Sequence, residues 1–208
     1  MTVALDAIGP SSTGQAAISA GNTSTWLHTV GAGANQVLYV GIAVGFFSTD
    51  TSGSTTAATY NGVAMTSIGK VKSNNSGNGY VEVFRLIAPP QGAHTVSVVC
   101  STSPTSMVGG SLSYNGANQT TPNTTPVTNF GSGTNPNCSV TGGAVGDLAL
   151  NFACCGSAFT ASNGTVEIQN NFSTQSGAGC MSCSQFAGSA SAVSMGYTAG
   201  NDWWGIVG

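Results

Sequence analysis

Tyr80-Val-Glu-Val-Phe-Arg-Leu-Ile87 is the stretch on which the fold class turns. In an extended chain Val81, Val83, Arg85 and Ile87 fall on one side and Glu82, Phe84 and Leu86 on the other. That period of two belongs to a strand and not to a helix. Upstream, Asn61-Gly62 separates two further strand-like runs, and both residues tolerate the positive φ that a tight hairpin turn demands. Asn163-Gly164 is a second such signal. No segment of helical length shows helical periodicity, so the class expected is all-β, an antiparallel β-sandwich of jelly-roll or Ig-like type.

Working outward, strands are expected at Thr25–Val30, Gln36–Phe47, Thr56–Tyr60, Val63–Ile68, Tyr80–Ile87, His94–Cys100 and Met107–Tyr114. They resume at Cys138–Val140, Asp147–Cys155, Val166–Asn170, Cys180–Phe186, Ala192–Tyr197 and Trp203–Val207. The order of landmarks repeats. Trp26 to Val44 lines up with Cys138 to Cys154, each a short strand, a Gly-rich turn and a longer apolar strand. YNGVAMT then YVEVFRL matches SNGTVEIQ then CMSCSQF. HTVSVVC then SMVGGSLSY matches AVSMGYT then WWGIVG. The organisation expected is an N-terminal strand or arm (1–23), a first β half (24–114), a connector (115–137) and a second half (138–208). One sandwich with an internal pseudo-two-fold is preferred over two lobes, because a small half buries little surface alone. The connector, rich in Pro, Asn and Thr, has room for one edge strand at Val127.

Composition bounds the function. Only 4% of the 208 residues are charged, against about 25% in an ordinary soluble domain. A surface of Ser, Thr, Asn, Gln and Gly packs beside copies of itself or a host lattice without the desolvation cost of unpaired charges. Lys70, Lys72 and Arg85 are the only basic side chains besides histidine, too few to track a phosphate backbone. Nucleic acid is not expected as a partner, and neither is a membrane. The longest apolar run, Val37 to Phe47, is too short to span a bilayer and is broken by Gly41 and Gly45. The first residues lack a secretory pattern, while the composition looks extracellular. A virion component made in a host cytoplasm and released by lysis reconciles the two, and a processed secreted protein would do so as well.

No catalytic constellation is visible. His28 and His94 read as strand-surface residues, and the six acids are scattered. A glycosidase-like pairing of Glu82 with Glu167 has nothing else to support it. Cys154, Cys155, Cys180 and Cys183 are weak candidates for a metal. Buried thiols are the first reading and disulfides the second, because adjacent cysteines in a strand point to opposite faces. Trp26, Trp203 and Trp204, with Tyr39, Tyr60, Tyr80, Tyr114 and Tyr197, are candidate ligand or interface aromatics. They would suit a sugar-binding face, although one of two adjacent Trp in a strand must point inward. No cofactor is expected.

The ordered motifs TWLHTVGAGANQVLYVGIAV, ATYNGVAMTSIGKV, YVEVFRLIAPPQGAHTVSV, GGSLSYNGANQTTP, GDLALNF and DWWGIVG resemble a recurring β-sandwich domain of tailed-phage virion and bacterial surface proteins. The resemblance covers about residues 24–208. It implies a structural or decoration role without a single activity. The paired cysteines and low charge depart from the pattern, as does the close at Gly208, where the last strand is expected to run on. The function expected is a non-enzymatic capsid decoration (cement) subunit on the virion exterior. Its partners would be the major capsid protein or copies of itself, with a trimer the natural oligomer. An extracellular filament or sheath subunit and a carbohydrate-binding adhesin module are the alternatives.

Overall fold

The computed structural model describes residues 2–10, 17–19, 21–45, 54, 56–75, 79–122, 125–141, 143–163, 168–175, 179–187 and 191–208, with backbone alone at 17–19 and 160–187. The first half contributes β1 (Ala4–Gly9), β2 (Ala17–Ser19), β3 (Thr23–Val30), β4 (Val37–Gly45), β5 (Thr56–Tyr60), β6 (Val63–Ala64), β7 (Thr66–Lys72), β8 (Gly79–Ile87), β9 (Gly92–Cys100) and β10 (Ser106–Asn115). The second contributes β11 (Thr128–Gly133), β12 (Asn137–Val140), β13 (Leu148–Cys155), β14 (Phe159–Asn163), β15 (Ile168–Gln175), β16 (Gly179–Ala187), β17 (Val193–Ala199) and β18 (Asp202–Val207). The chain is all-β and its strand pairs are antiparallel, as the alternation predicts. The Asn61-Gly62 hairpin forms with positive φ at both residues. Gly164 and Val166 to Glu167 lie outside the described residues.

Sheet A runs β1-β10-β4-β8-β7, with β2 also on β10, and sheet B runs β3-β9-β5-β6. Sheet C runs β11-β18-β13-β16-β15, and sheet D runs β12-β17-β14. Replacing β1, β10, β4, β8 and β7 by β11, β18, β13, β16 and β15 turns the order of sheet A into that of sheet C. The same replacement, β3, β9, β5 by β12, β17, β14, turns B into D. The three repeated stretches of sequence fall on these equivalent strands. Contacts between the sheets follow the same exchange: β8 meets β18 as β16 meets β10, β7 meets β18 as β15 meets β10, and β8 meets β13 as β16 meets β4. The β4–β13 contact maps onto itself. The halves are thus related by a pseudo-two-fold that passes between β4 and β13.

The layers stack in the order B, A, C, D. Trp26, Leu38, Ile42, Tyr60, Phe84 and Val96 fill the space between B and A. Tyr39, Val83, Leu112, Phe152 and Val207 lie between A and C. Cys155, Tyr197, Trp204 and Ile206 lie between C and D. The sequence explains this layering. β3 alternates exposed and buried along its whole length, as an outer strand must, whereas all nine residues of β4 are buried. VLYVGIAVG is apolar on both faces and needs cover on both. The halves therefore do not merge into one two-sheet sandwich, nor do they stand apart; each makes its own pair of sheets, and the inner two pack together. In the N-terminal stretch, β1 and β2 pair with β10 as edge strands of sheet A. The connector supplies β11 and the start of β12.

Candidate functional site

Between sheets B and A lies a chain of buried polar groups. Ser111 and Ser113 alternate along β10 onto the inner face of sheet A, opposite Trp26 and His28 of β3. Trp26 Nε1 donates to Ser111 Oγ at 2.9 Å, and Ser111 Oγ is 2.9 Å from His28 Nδ1. His28 Nε2 is 3.0 Å from Ser113 Oγ, which donates to Asp6 Oδ2 at 2.8 Å. Asp6 also accepts the Gly31 N–H at 2.9 Å. Because Ser113 gives its proton to the carboxylate, it must accept from Nε2–H; Nδ1 then accepts from Ser111. The whole chain is polarised from Trp26 to Asp6. His28 is 1% exposed, so it is not the strand-surface residue expected; β3's alternation puts it on the same face as Trp26. Burial lowers its pKa from 6.5 to about 4, with Asp6 pulling the other way. Both ring nitrogens are engaged, which suits a cross-layer clamp between β3, β10 and β1 and leaves no open nitrogen for a substrate. His94 packs edge-on against Tyr60 and contacts the Gln91 carbonyl at 3.0 Å.

A second polar cluster joins β5, β7, β8 and β9. Glu82, 6% exposed, accepts from Ser67 at 2.7 Å and from Thr56, and pairs with Lys70 at 3.5 Å. Lys70 Nζ also lies 3.8 Å from the centre of the Tyr80 ring and donates to the Ser54 carbonyl at 2.8 Å. Beyond it, Cys100 Sγ meets Ser54 Oγ at 3.0 Å and Tyr80 Oη at 3.5 Å. Burial pushes the Cys100 thiol up, but hydrogen bonds from Ser54, Tyr80 and Thr102 outweigh it and the net shift is downward. This cluster was not foreseen, since its members come from four separate segments. Glu167, the partner considered for Glu82, lies outside the described residues.

The cysteines nominated for a metal separate. Cys154 packs between A and C, and Cys155 between C and D, so the adjacent thiols face opposite ways. Burial raises the Cys154 pKa to about 11 and also raises that of Cys155. Cys180 and Cys183 stand in register with Cys155 and Phe152, and their side chains lie outside the described set. Among the described residues no group of three His, Cys, Asp or Glu side chains is placed to hold a metal.

The aromatics nominated for a ligand face turn inward. Trp26 and Trp204 are buried, as are Tyr39, Tyr60, Tyr80, Tyr114 and Tyr197. Trp203 alone is open to solvent, at 39%. Of the nominated rings one stays open, and the exposed ring of Phe130 on β11 lies on the same face of the β11–β18 pair. The surface also offers the outer face of sheet B. Thr23, Thr25, Leu27 and Thr29 of β3 are exposed and stand in register with Val99, Ser97, Thr95 and Ala93 of β9. Ala57 and Thr59 of β5 continue two of those rows. No side chain on this face is ionisable. Among the described residues no helix is long and apolar enough to cross a membrane.

Fold and surface together define a protein of stacked antiparallel β-sandwich layers with an uncharged outer sheet. No family model, no curated protein and no solved structure matches the chain.

Proposed function

We propose that this chain is a non-enzymatic structural protein of a virion exterior, a capsid decoration subunit that docks on the coat lattice. The observation that carries the reading is the outer face of sheet B, where β3, β9 and β5 present ranks of Thr, Ser, Ala and Val with no charge. Such a face can be buried against another protein without stranding an ion in a low-dielectric interface. Leu27 at 62% exposure and Val99 at 42% add apolar area to it. The stacked layers also suit a load-spreading role, because a rigid body with an apolar layer on each side of both inner sheets resists deformation. The likeness of the ordered motifs to phage virion and bacterial surface domains supports the same reading. Binding energy contributed by each subunit stabilises the bound lattice by mass action. The test is to purify particles from a host expressing the chain, measure its copy number per capsid and strip it off. A fixed stoichiometry and loss of particle stability on stripping are expected. Absence of the chain from particles, with a solitary monomer in solution, would refute the proposal.

A further inference from the structure

Phe130 on β11 and Trp203 on β18 are the aromatic side chains that stay exposed among the described residues, at 46% and 39%. Their strands pair with Phe130 opposite Gly205 and Ser132 opposite Trp203. Directly opposed residues share a face, so the two rings stand on one face as diagonal neighbours, about 7–8 Å apart at their backbones. Gly205, next to both, brings no side chain between them. Val71 and the Lys72 carbonyl of β7 border that glycine, 3.1 and 3.4 Å from where a Cβ would stand. The turn Ser73–Asn75 that follows β7 packs on both β11 and β18. Asn74 and Asn75 hold left-handed backbone, φ 46° and 51°, and Asn75 is exposed. Along β11, Thr128 and Ser132 flank Phe130 and are exposed with it.

The charged residues nearest in sequence turn away. Lys72 pairs with Tyr80 and so shares its face toward sheet B. Asp202 precedes Trp203, alternates to the other side of β18 and accepts from Ser157. No ionisable side chain of β11, β18 or the turn stands beside the rings. We propose that this face is a carbohydrate-binding site for a neutral glycan chain, with Phe130 and Trp203 as its two stacking platforms. A pyranose carries C–H bonds on its faces and hydroxyls round its rim. Aromatic faces take the first, while hydroxyl and amide side chains, which both donate and accept, take the second. Two rings at this separation address successive sugar units of one chain. The surroundings decide the class of ligand. A protein partner calls for wider apolar cover around the rings, where Ser, Thr, Gly and Asn stand instead. A nucleic acid or an acidic glycan calls for cations beside them. The site lies on sheet C, apart from the outer face of sheet B, so it goes beyond the decoration reading and does not depend on it.

The experiment uses the full chain and maltohexaose, cellohexaose, laminarihexaose and chitohexaose as probes, each titrated by calorimetry and by indole fluorescence. Saturable binding of at least one probe is expected, with a shift in indole emission. Trp203→Ala and Phe130→Ala should each weaken it roughly tenfold or more. Trp203→Phe keeps a ring and should keep most of the binding seen by calorimetry, while the emission shift disappears. Both side chains are exposed, so the melting temperature should hold in all three variants. Saturation-transfer NMR gives a readout with the protein unchanged: irradiating its aromatic protons should saturate the C–H protons of the bound sugar. No binding of any probe at millimolar sugar overturns the site, and so does equal binding by both alanine variants. Preference for heparin that salt abolishes would overturn the neutral ligand class. A dimer that forms without sugar and that Trp203→Ala or Phe130→Ala dissociates would make this face a contact between copies, and would overturn the proposal as well.

Discussion

The ring of Phe152 on β13 lies against the backbone of Gly41 on β4, so closely that a Cβ at residue 41 would collide with it. This contact sits where the pseudo-two-fold passes between the inner sheets, and it joins the two halves at their centre. A bulky residue from one half and the absence of one from the other let sheets A and C approach. Gly41→Ala is expected to destabilise the protein by about 1–3 kcal/mol, because the ring must shift within a packed layer. Phe152→Ala should cost about 3–5 kcal/mol through the cavity it leaves. Combining Gly41→Ala with Phe152→Leu should cost less than the two single changes added together. Urea unfolding of the unmodified protein, Gly41→Ala, Phe152→Leu and their combination measures this, and strict additivity would mean that the contact does not couple the halves.

His28 gives the stability a pH dependence of definite sign. Its pKa is 6.5 when unfolded and about 4 when folded. Protons therefore bind the unfolded chain first as the pH falls. The contribution is fully present above pH 6.5 and is lost progressively down to about 4, amounting to about 3 kcal/mol from this residue. Thermal melts between these pH values should show the loss in the native protein and a smaller one in His28→Asn. An unchanged pH slope in the variant would remove His28 as the cause.

The same network predicts a cost at Ser111. Its hydroxyl serves Trp26 Nε1 and His28 Nδ1 together, both in the interior. Ser111→Ala leaves two buried polar atoms without their partner and should destabilise by about 2–4 kcal/mol, at about 1–3 kcal/mol for each unsatisfied group less partial relaxation. Indole fluorescence offers a second readout, since the Trp26 hydrogen bond is lost.

Much of this architecture was legible in the sequence, for local reasons. Turn chemistry at Asn61-Gly62 and the double-sided apolar run of β4 reported on their own neighbourhoods. The repeat was readable because equivalent strands keep their order. What escaped was set by partners distant in sequence. His28 read as a strand-surface residue because imidazole is polar, yet it shares the parity of Trp26 and is buried with it. Glu82 looked isolated because Ser67 and Lys70 reach it across the β7–β8 pair and Thr56 from the facing sheet. Strand β14, at Phe159–Asn163, lacked the dense β-branched run of the others.

Thiol chemistry should be slow at the four cysteines whose side chains are described. Cys100, Cys138, Cys154 and Cys155 are buried free cysteines, and burial holds Cys138 up to about 12 and Cys154 up to about 11. A thiol far above its usual pKa is almost wholly protonated at neutral pH and is a poor nucleophile. Labelling with an aromatic disulfide reagent at pH 8, mapped by peptide mass, should leave these four unmodified until denaturant is added. Cys100, with its lowered pKa, is the discriminating case. If it reacts at once, the space around Ser54 and Tyr80 opens to solvent on the timescale of the assay; if it reacts only on unfolding, burial governs it.

Charge placed on the outer face of sheet B provides the sharpest separation of docking from folding. Thr25 and Ser97 are paired neighbours on that face, with side chains that point away from the B–A layer. Thr25→Lys and Ser97→Glu change nothing packed inside, so each should alter stability by no more than about 0.5 kcal/mol. Each would nevertheless carry an ion into a neutral interface, at a cost of several kcal/mol if it stays unpaired there. If the proposed decoration role holds, particle binding falls steeply in either single variant while the melting temperature holds. The double variant places opposite charges directly across from one another and should recover part of the binding. Co-sedimentation with capsids measures all three. Undiminished binding in both single variants would overturn the outer face of sheet B as the docking surface of the proposed decoration role.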